Sequence, residues 1–297
     1  MELHDGRVVV ITGAGGGIGR EHALAFAREG AKVVVNDLGA ADETVALITA
    51  EGGQAVANKD DVSDWDGAAR LIATALDTFG DLHVLVNNAG ILRDKMFVNM
   101  DPQMWDDVIR VHLRGTFCPT RHAVNYWRER SKSDNPVSHP RIINTSSPTG
   151  LYGNAGQSNY GAAKAAIAGL TVILAEELSR LGVTVNAIAP SALTQMTAGL
   201  GAYVEKMEKI KEETGFDAGS PANIAPPVVW LASPEAAEIT GRVFNVKGGL
   251  ISVAEGWRPG PGEEKMSPWT PEEIGDVLPK LVAEAKPNVD AAGNPKV

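Results

Sequence analysis

The stretch that decides the fold is residues 7–19, RVVVITGAGGGIG, near the start of the chain. Its apolar first part is typical of a buried strand, and the glycines after Thr12 allow a tight turn before a helix. Glycines at such a turn let a pyrophosphate approach the backbone, and the amino terminus of the helix then faces its negative charge. This strand–turn–helix unit predicts a dinucleotide site. The predicted contacts are Gly13, Gly17, Ile18 and Gly19.

Six further short apolar runs follow, separated by longer stretches with helical periodicity. These runs begin at Lys32, Gln54, Leu82, Arg141, Val183 and Val243. They are continuous rather than alternating, which indicates strands that are buried on both faces. Strand and helix alternate from end to end, so we predict one doubly wound α/β domain with a parallel sheet and helices on both faces.

The end of the chain departs from this alternation. Residues 257–262, WRPGPG, are typical of a linker, and Thr270 followed by Pro271 predicts the capped start of a further helix. We therefore expect residues 1–255 to form a nucleotide-binding domain that includes the substrate site. Residues 256–297 are expected to form a C-terminal extension.

Composition excludes several classes of protein. The 297 residues include 27 Lys and Arg against 37 Asp and Glu, a formal net charge of −10 that argues against a nucleic-acid partner. No apolar run approaches the ~20 residues that span a bilayer. Cys118 is the single cysteine, which fits a reducing compartment, and the histidines do not cluster as metal ligands would. We expect a cytoplasmic protein with no membrane association and no metal.

Asp37 ends the second predicted strand, where a carboxylate accepts hydrogen bonds from the ribose hydroxyls of adenosine and repels a 2′-phosphate. Neither Gly16 nor Leu38 supplies the basic side chain that a phosphorylated cofactor needs. This pattern favours NAD over NADP. The alternative is that Asp37 only caps the following helix.

Tyr160 and Lys164 are four residues apart at the start of a predicted helix and therefore share a face. A phenol has a pKa of about 10, and a neighbouring ammonium favours the phenolate. Lowering this pKa by about three units, or roughly 4 kcal/mol, makes a general base near neutrality. We expect Lys164 together with a positive nicotinamide ring to do this. Ser147 follows the fifth strand, where its hydroxyl either orients a substrate oxygen or is an ordinary turn residue.

Four ordered motifs together resemble the short-chain dehydrogenase/reductase superfamily: TGAGGGIG at 12–19, NNAG at 87–90, Ser147, and YGAAK at 160–164. The resemblance extends over residues 6–249 and implies a Rossmann-type, seven-stranded parallel sheet, a nicotinamide cofactor and hydride transfer. It implies that Tyr160 is the acid/base, that Lys164 holds the nicotinamide ribose and that Ser147 positions the substrate. Further cofactor contacts implied by the resemblance are Asp61, Val62, Asn88, Gly90, Pro190 and Thr194.

One position departs from the superfamily pattern. An Asn is usual in the long central helix, whereas this chain has His112 within VHLRGTF at 111–117. Either His112 joins the catalytic residues by binding a relay water through its backbone carbonyl, or it is only a packed helix residue.

Three segments narrow the resemblance: VHLRGTF, VNDLG at 35–39 and GLYGNAGQ at 150–157. They resemble the (3R)-hydroxyacyl-CoA dehydrogenases that form part of peroxisomal multifunctional enzyme type 2, also called 17β-hydroxysteroid dehydrogenase type 4, and that have bacterial relatives. This implies a standalone bacterial enzyme that oxidises 3-hydroxyacyl-CoA to 3-ketoacyl-CoA with NAD, in fatty acid or steroid side-chain β-oxidation. The expected assembly is a homodimer or homotetramer. Arg93, Lys95 and Arg258 are candidate partners for the phosphates of CoA.

Two other functions stay open at this point. The chain could be a dehydrogenase of hydroxysteroids or of another bulky alcohol. From a different class, it could be a non-catalytic sensor that binds NAD. The set of Ser147, Tyr160 and Lys164 speaks against the sensor, because a protein that only binds NAD gains nothing from a phenol beside an ammonium.

Overall fold

The computed structural model describes residues 3–195 and 201–296. The strands of this described part are β1 Val8–Thr12, β2 Lys32–Asn36, β3 Gln54–Asn58, β4 Val84–Asn87, β5 Arg141–Thr145, β6 Thr184–Ser191, β7 Val243–Lys247 and β8 Leu250–Ala254. The α-helices are α1 Gly17–Arg28, α2 Ala41–Ala50, α3 Trp65–Phe79, α4 Pro102–Ile109, α5 Gly115–Arg130, α6 Pro148–Tyr152, α7 Ser158–Glu177, α8 Gly201–Thr214, α9 Ala225–Leu231 and α10 Pro271–Glu284. No helix among these residues is long and apolar enough to cross a membrane.

The strands form one sheet in the order β3-β2-β1-β4-β5-β6-β7-β8. The first seven are parallel, as predicted, and the chain changes winding direction between β1 and β4. In such sheets the ligand crevice lies at the carboxyl ends of the strands where the direction changes. The Gly-rich turn after β1 and the segment after β4 therefore meet at this crevice.

The predicted strand count of seven is wrong by one, because β8 adds an antiparallel edge strand to β7. A turn at Gly248, with φ of +52°, joins β7 to β8. Leu250, Ile251 and Val253 of β8 are all more than half exposed. The other strands were predicted because they are buried on both faces and separated by helical stretches. The edge strand β8 is exposed and follows β7 directly, so neither criterion identifies it.

Side chains of β1 alternate between two cores, one on each face of the sheet. Val9 and Ile11 lie in the core that contains Phe26 of α1, whereas Val10 lies in the core that contains Leu71 of α3. All five side chains are fully buried. This confirms the double burial that the continuous apolar runs predict, and it fixes the sheet between two helical layers.

Residues 102–130, which include the long central helix, do not form one continuous α-helix. A π-helical turn, Arg110–Arg114, separates α4 from α5 and contains His112. Insertions of this kind occur mostly as single turns and often lie at functional sites. The turn places His112 under the end of β4, where Ile91 follows the strand.

Contacts divide the chain into two compact units, residues 1–254 and residues 255–297. Within the second unit, Thr270 and Glu273 form a reciprocal capping box at the start of α10, as the sequence indicates. Lys265 also contacts this box through Glu273 and lies over the ring of Trp269. The assignment of the two units as functional domains stays a prediction.

Two histidines are buried in the first unit. His22 of α1 is fully buried, and neither of its ring nitrogens has a hydrogen-bond partner within the described residues. Burial lowers the pKa of His22 from 6.5 to about 3. His4 packs edge-on against Phe26 and bonds to the Val229 carbonyl, and burial lowers its pKa to about 4. Both rings are therefore neutral in the folded protein at neutral pH.

These histidines make the fold sensitive to acid. A lowered folded-state pKa gives stability that is complete above 6.5 and is lost as the pH falls towards 3, since the unfolded chain binds protons first. At about pH 5 the loss from His22 is about 2 kcal/mol, or roughly 5 °C in Tm. We expect His22→Leu to unfold at a Tm no lower than wild type at pH 7.5 and to lose less on acidification. If the Tm of wild type and that of His22→Leu fell equally as the pH is lowered, this expectation would be contradicted.

Candidate active site

The turn between β1 and α1 is packed too tightly for side chains. Gly13 has φ of +62°, and a Cβ there would lie 2.7 Å from the Ala89 Cα atom. A Cβ on Gly19 would lie 2.2 Å from the Gly13 carbonyl oxygen. The first turn of α1 holds no acidic residue, so the amino-terminal dipole of the helix favours an anion. A close backbone approach at a helix amino terminus fits a nucleotide pyrophosphate.

Asn88 holds this turn from beneath. Its Nδ2 atom donates to the carbonyl oxygens of Thr12 and Gly13, each at 3.1 Å. The Thr12 hydroxyl accepts from the backbone amides of Asn88 and Ala89 at 2.9 and 3.0 Å. Asn88 was predicted as a cofactor contact, and the geometry gives it a role in shaping the turn. Thr12 was not predicted, although its place between strand and turn was visible in the sequence.

The Asp37 carboxylate lies against the Gly-rich turn. It accepts from the amide of Gly15 at 3.1 Å and from the amides of Gly39 and Ala40 at 2.9 and 3.1 Å. A Cβ on Gly15 would lie 2.6 Å from the Asp37 Cγ atom. The carboxylate therefore joins the two turns that follow β1 and β2, and it does more than cap the segment before α2.

Asp61 and Val62, which the resemblance implies as cofactor contacts, belong to the segment after β3. Asp61 accepts from the amide and hydroxyl of Ser63 at 2.8 and 2.7 Å and from Arg110 at 2.9 Å. Burial opposes ionisation of Asp61, but the hydrogen bonds from Ser63 and Arg110 outweigh it and lower the pKa. Val62 is buried and lies 3.1 Å from the position of a Cβ on Gly115.

The segment after β6 also reaches the Gly-rich turn. Pro190 pairs with Val246 near the end of β6, and the Thr194 methyl carbon lies 3.3 Å from where a Cβ on Gly17 would be. Ile18 packs against the hydrophobic core beneath α1. The predicted cofactor residues of β1, β2, β4 and β6 therefore gather around one crevice.

Ser147, Tyr160 and Lys164 come together beside this crevice. Ser147 is the N-cap of α6, its Oγ atom accepts from the Thr149 amide at 3.2 Å, and its hydroxyl bonds to that of Tyr160. Lys164 is buried, with its Nζ atom 5.6 Å from the centre of the Tyr160 ring and 2.6 Å from the Thr145 carbonyl oxygen. The phenol, the hydroxyl and the amine thus share one pocket wall at the carboxyl end of β5.

The pKa values of this cluster differ from those that the sequence suggests. Burial raises the pKa of Tyr160 above its usual value of 10, and the Asp94 carboxylate raises it further, against the opposing hydrogen bond from Ser147. Burial also lowers the pKa of Lys164 to about 7. We expected Lys164 and a nicotinamide ring to lower the pKa of Tyr160; the protein alone does not, because burial disfavours both charged forms.

His112 is buried against Tyr160, with ring centres 5.2 Å apart and planes at 85°. Its Nε2 atom lies 2.7 Å from the Ile91 carbonyl oxygen and 3.0 Å from the Ile91 amide nitrogen, and no residue in the described segments bonds to Nδ1. Burial, aided by the charge of Lys164, lowers the pKa of His112 to about 3. The ring is therefore neutral at physiological pH and is not a titrating acid or base.

Asn159 was missed by sequence reasoning. It is fully buried, and its Nδ2 atom donates to the carbonyls of Arg93 and Met104 at 3.1 and 3.0 Å while its Oδ1 accepts from the Tyr160 amide at 2.8 Å. Its position directly before Tyr160 was the available signal. Of the candidate basic residues, Arg93 lies 3.7 Å from Asp107, and Arg258 belongs to the unit of residues 255–297.

Together the fold and the site define an oxidoreductase of Rossmann type that uses a nicotinamide cofactor and acts on a CH–OH group. The sequence profile of the short chain dehydrogenase family matches residues 7–205. The chain belongs to the short-chain dehydrogenase/reductase family. Among the described residues no group of His, Cys, Asp and Glu side chains is arranged to hold a metal ion.

Several relatives resemble the chain over most of its length. It is 43% identical to mouse peroxisomal multifunctional enzyme type 2 over 93% of the chain, which spans only 37% of that enzyme. It is 42% identical to the hydroxyacyl-CoA dehydrogenase ChsB1 of Mycobacterium tuberculosis over 95% of the chain and 90% of the relative. A crystal structure of a short chain dehydrogenase from Mycobacterium avium shares 52% identity, with a TM-score of 0.87 over 97% of this chain and 98% of that one.

Contact between Gly90 and His112 gives a test of the site's packing. A Cβ on Gly90 would lie 2.3 Å from the His112 Cε1 atom, so Gly90→Ala must displace the ring. We expect Gly90→Ala to lower the free energy of unfolding by about 1–3 kcal/mol, the usual cost of overpacking. The same substitution in a His112→Ala background should cost much less. Equal costs in both backgrounds, measured by thermal or denaturant unfolding without cofactor, would show that the two residues do not clash.

Proposed function

We propose that the protein oxidises a secondary alcohol to a ketone with NAD, and that the alcohol is the 3-hydroxyl of an acyl-CoA. The observation that carries this proposal is the cluster of Ser147, Tyr160 and Lys164 at the carboxyl end of β5. A phenol that bonds to a hydroxyl beside a buried amine is an arrangement suited to moving one proton.

In the proposed reaction the Ser147 hydroxyl holds the substrate oxygen, and the Tyr160 Oη atom accepts the hydroxyl proton. A bound oxidised nicotinamide would supply the acceptor for the hydride that leaves the carbinol carbon, and it would add a positive charge to the site. The partial burial that raises the pKa of Tyr160 also strengthens the effect of a nearby positive charge on the phenol. Lys164, with a pKa of about 7, contributes its own charge below that pH, and its hydrogen bond to the Thr145 carbonyl fixes its position.

His112 is proposed to act by position. Because its ring is neutral and lies edge-on to Tyr160, it restrains the phenol without exchanging a proton. Whether its backbone carbonyl also binds a relay water stays a prediction from the resemblance.

The proposed preference for NAD rests on Asp37. Its carboxylate lies at the turn after β2 and against Gly15, where the adenosine ribose of a bound dinucleotide is expected. A negative charge there accepts hydrogen bonds from ribose hydroxyls and repels a 2′-phosphate. The Gly-rich turn, Asn88 and Thr194 complete the proposed cofactor contacts.

The proposed substrate class rests on the relatives, of which one is named a hydroxyacyl-CoA dehydrogenase and matches over 95% of this chain. Arg93 and Lys95 are exposed on the loop after β4, beside the start of α7, and are proposed to meet the phosphates of CoA. A cytoplasmic homo-oligomer stays part of the proposal. The exposed apolar residues of β8 offer an unpaired sheet edge for such an assembly.

Tyr160→Phe removes the proton acceptor and tests the reaction. We expect kcat for oxidation of 3-hydroxyacyl-CoA thioesters to fall by about a thousandfold, while the Kd for NAD stays close to that of wild type. Nicotinamide absorbance measures turnover, with both enantiomers, several chain lengths and free hydroxysteroids as substrates.

The matched control is Tyr126→Phe, since the Tyr126 hydroxyl bonds to Asp81 before the amino end of β4, at the opposite edge of the sheet. This variant should keep full activity. Turnover of hydroxysteroids but not of thioesters would favour the dehydrogenase of bulky alcohols. Tight NAD binding with no turnover of any alcohol in wild type would favour the sensor.

Asp37→Asn tests the cofactor preference, because it removes the charge and keeps an amide oxygen for the Gly15, Gly39 and Ala40 amides. We expect kcat/KM to fall about tenfold with NAD and to rise with NADP. Initial rates with each cofactor at fixed alcohol concentration provide the measurement. Wild type that prefers NADP, or a variant whose ratio is unchanged, would refute the assignment.

A further inference from the structure

The loop after β4 is tied to the start of α7 by bonds at three consecutive residues. The Arg93 carbonyl accepts from Asn159 Nδ2 at 3.1 Å, Asp94 Oδ2 accepts from Gln157 Nε2 at 2.8 Å, and the Lys95 amide donates to the Gly156 carbonyl at 2.8 Å. Asp94 makes the one side-chain-to-side-chain bond of these three. The loop and the helix that carries Tyr160 are therefore held at a fixed separation.

Gln157 connects Asp94 to the catalytic hydroxyl. While its amide nitrogen donates to Asp94, its Oε1 atom accepts from the Thr149 hydroxyl and from Asn154 Nδ2, each at 2.9 Å. The Thr149 amide in turn donates to Ser147 Oγ at 3.2 Å. A chain of hydrogen bonds thus runs from Asp94 through Gln157 and Thr149 to Ser147.

Gln157 also stands at the first turn of the catalytic helix. It is the residue before α7, and its carbonyl accepts from the Gly161 amide at 2.7 Å. Its side chain does not cap the helix, because that side chain is engaged by Asp94 and Thr149. The direction in which Asp94 holds Gln157 therefore affects where Tyr160, one turn further on, is placed.

We propose that Asp94 is a positioning residue that acts through Gln157 to fix Ser147 and Tyr160 relative to each other. The proposal rests on the proposed function only in taking Tyr160 as the group that moves the proton. Nothing in the local sequence around Asp94 singles it out, since its partners lie more than 60 residues further along the chain.

The charge of Asp94 opposes the phenolate. Lys164 on α7 and His112 on the π-helical turn contact the Tyr160 ring, the Ser147 hydroxyl bonds to that of Tyr160, and Asp94 lies on the loop after β4. His112 is neutral, and Asp94 is the acid whose charge raises the pKa of Tyr160. Because Asp94 raises the pKa of Tyr160, its removal must move the ionisation of Tyr160 to lower pH.

Two substitutions separate the bond from the charge. Asp94→Asn keeps an oxygen for Gln157 and removes the charge, so we expect an unchanged plateau of kcat and an acid limb of the pH–rate profile that moves to lower pH. Asp94→Ala removes both the bond to Gln157 and the charge. We therefore expect the acid limb of the pH–rate profile to move in the same direction and the plateau value of kcat to fall about tenfold. Gln157→Ala should lower the plateau by a similar factor, with no further loss in the Asp94→Ala/Gln157→Ala double variant.

Asp101→Asn is the matched control, because Asp101 is a nearby acid that caps α4 and does not act on Tyr160. It should change neither the plateau nor the limb. An acid limb that stays in place in Asp94→Asn, or additive losses in the double variant, would overturn the proposal. Equal Tm values in wild type and Asp94→Asn ensure that a shifted limb does not reflect partial unfolding.

A second measurement is independent of turnover. The ultraviolet absorbance of tyrosinate is titrated in wild type and Asp94→Asn, each minus its own Tyr160→Phe counterpart, so that the difference reports Tyr160 alone. We expect ionisation at lower pH in Asp94→Asn. If wild type oxidises no alcohol, the proposed function fails while this titration still decides the effect of Asp94; identical titrations would refute that effect even in an active enzyme.

Discussion

The buried amine of Lys164 is the constraint on which the site depends. An ammonium inside a protein loses its hydration and must find hydrogen-bond acceptors at fixed positions. Here Nζ donates to the Thr145 carbonyl at the end of β5, and the Ser146 hydroxyl donates to the Lys164 carbonyl. Gly150 lets α6 approach this part of α7, since a Cβ there would lie 2.6 Å from the Ala165 amide nitrogen. The strand end, the short helix and α7 are therefore packed around one side chain.

Hydrogen bonds among buried amide and hydroxyl side chains connect β4 and β5 to α7 next to this site. Asn87 on β4 donates to Thr120 and to Asn144 on β5, each at 2.9 Å, and Asn144 donates to Thr171 of α7 at 3.0 Å. Buried polar groups that are bonded in this way specify one arrangement, because any shift leaves a donor or acceptor unpaired. The residues at the ends of β4 and β5 are thereby kept in register with α7, which carries Tyr160. The crevice after β4 and the cluster of Ser147, Tyr160 and Lys164 share this support.

Local sequence patterns sufficed to predict those parts of the site whose residues are close together in the sequence. The Gly-rich turn and the spacing of Tyr160 and Lys164 each lie within one strand–turn–helix unit or one helix turn, and the parallel strands follow from continuous apolar runs. The edge strand β8, the π-helical turn and the bond from Asp94 to Gln157 could not be predicted in this way. Each depends on which distant segments meet, and the direction of the Tyr160 pKa shift depends on burial that only the folded chain creates.

That pKa direction changes how the cluster is understood. A phenolate present at all times would be a charged group in a poorly solvated pocket, which costs free energy and invites reaction with any electrophile that enters. In the protein alone, burial favours the neutral forms of both Tyr160 and Lys164. In the proposed reaction, Tyr160 becomes the base when a bound oxidised nicotinamide adds a positive charge to the pocket. In the proposed role, Asp94 holds the groups of this cluster in place through Gln157, and its charge opposes the phenolate that an added positive charge favours.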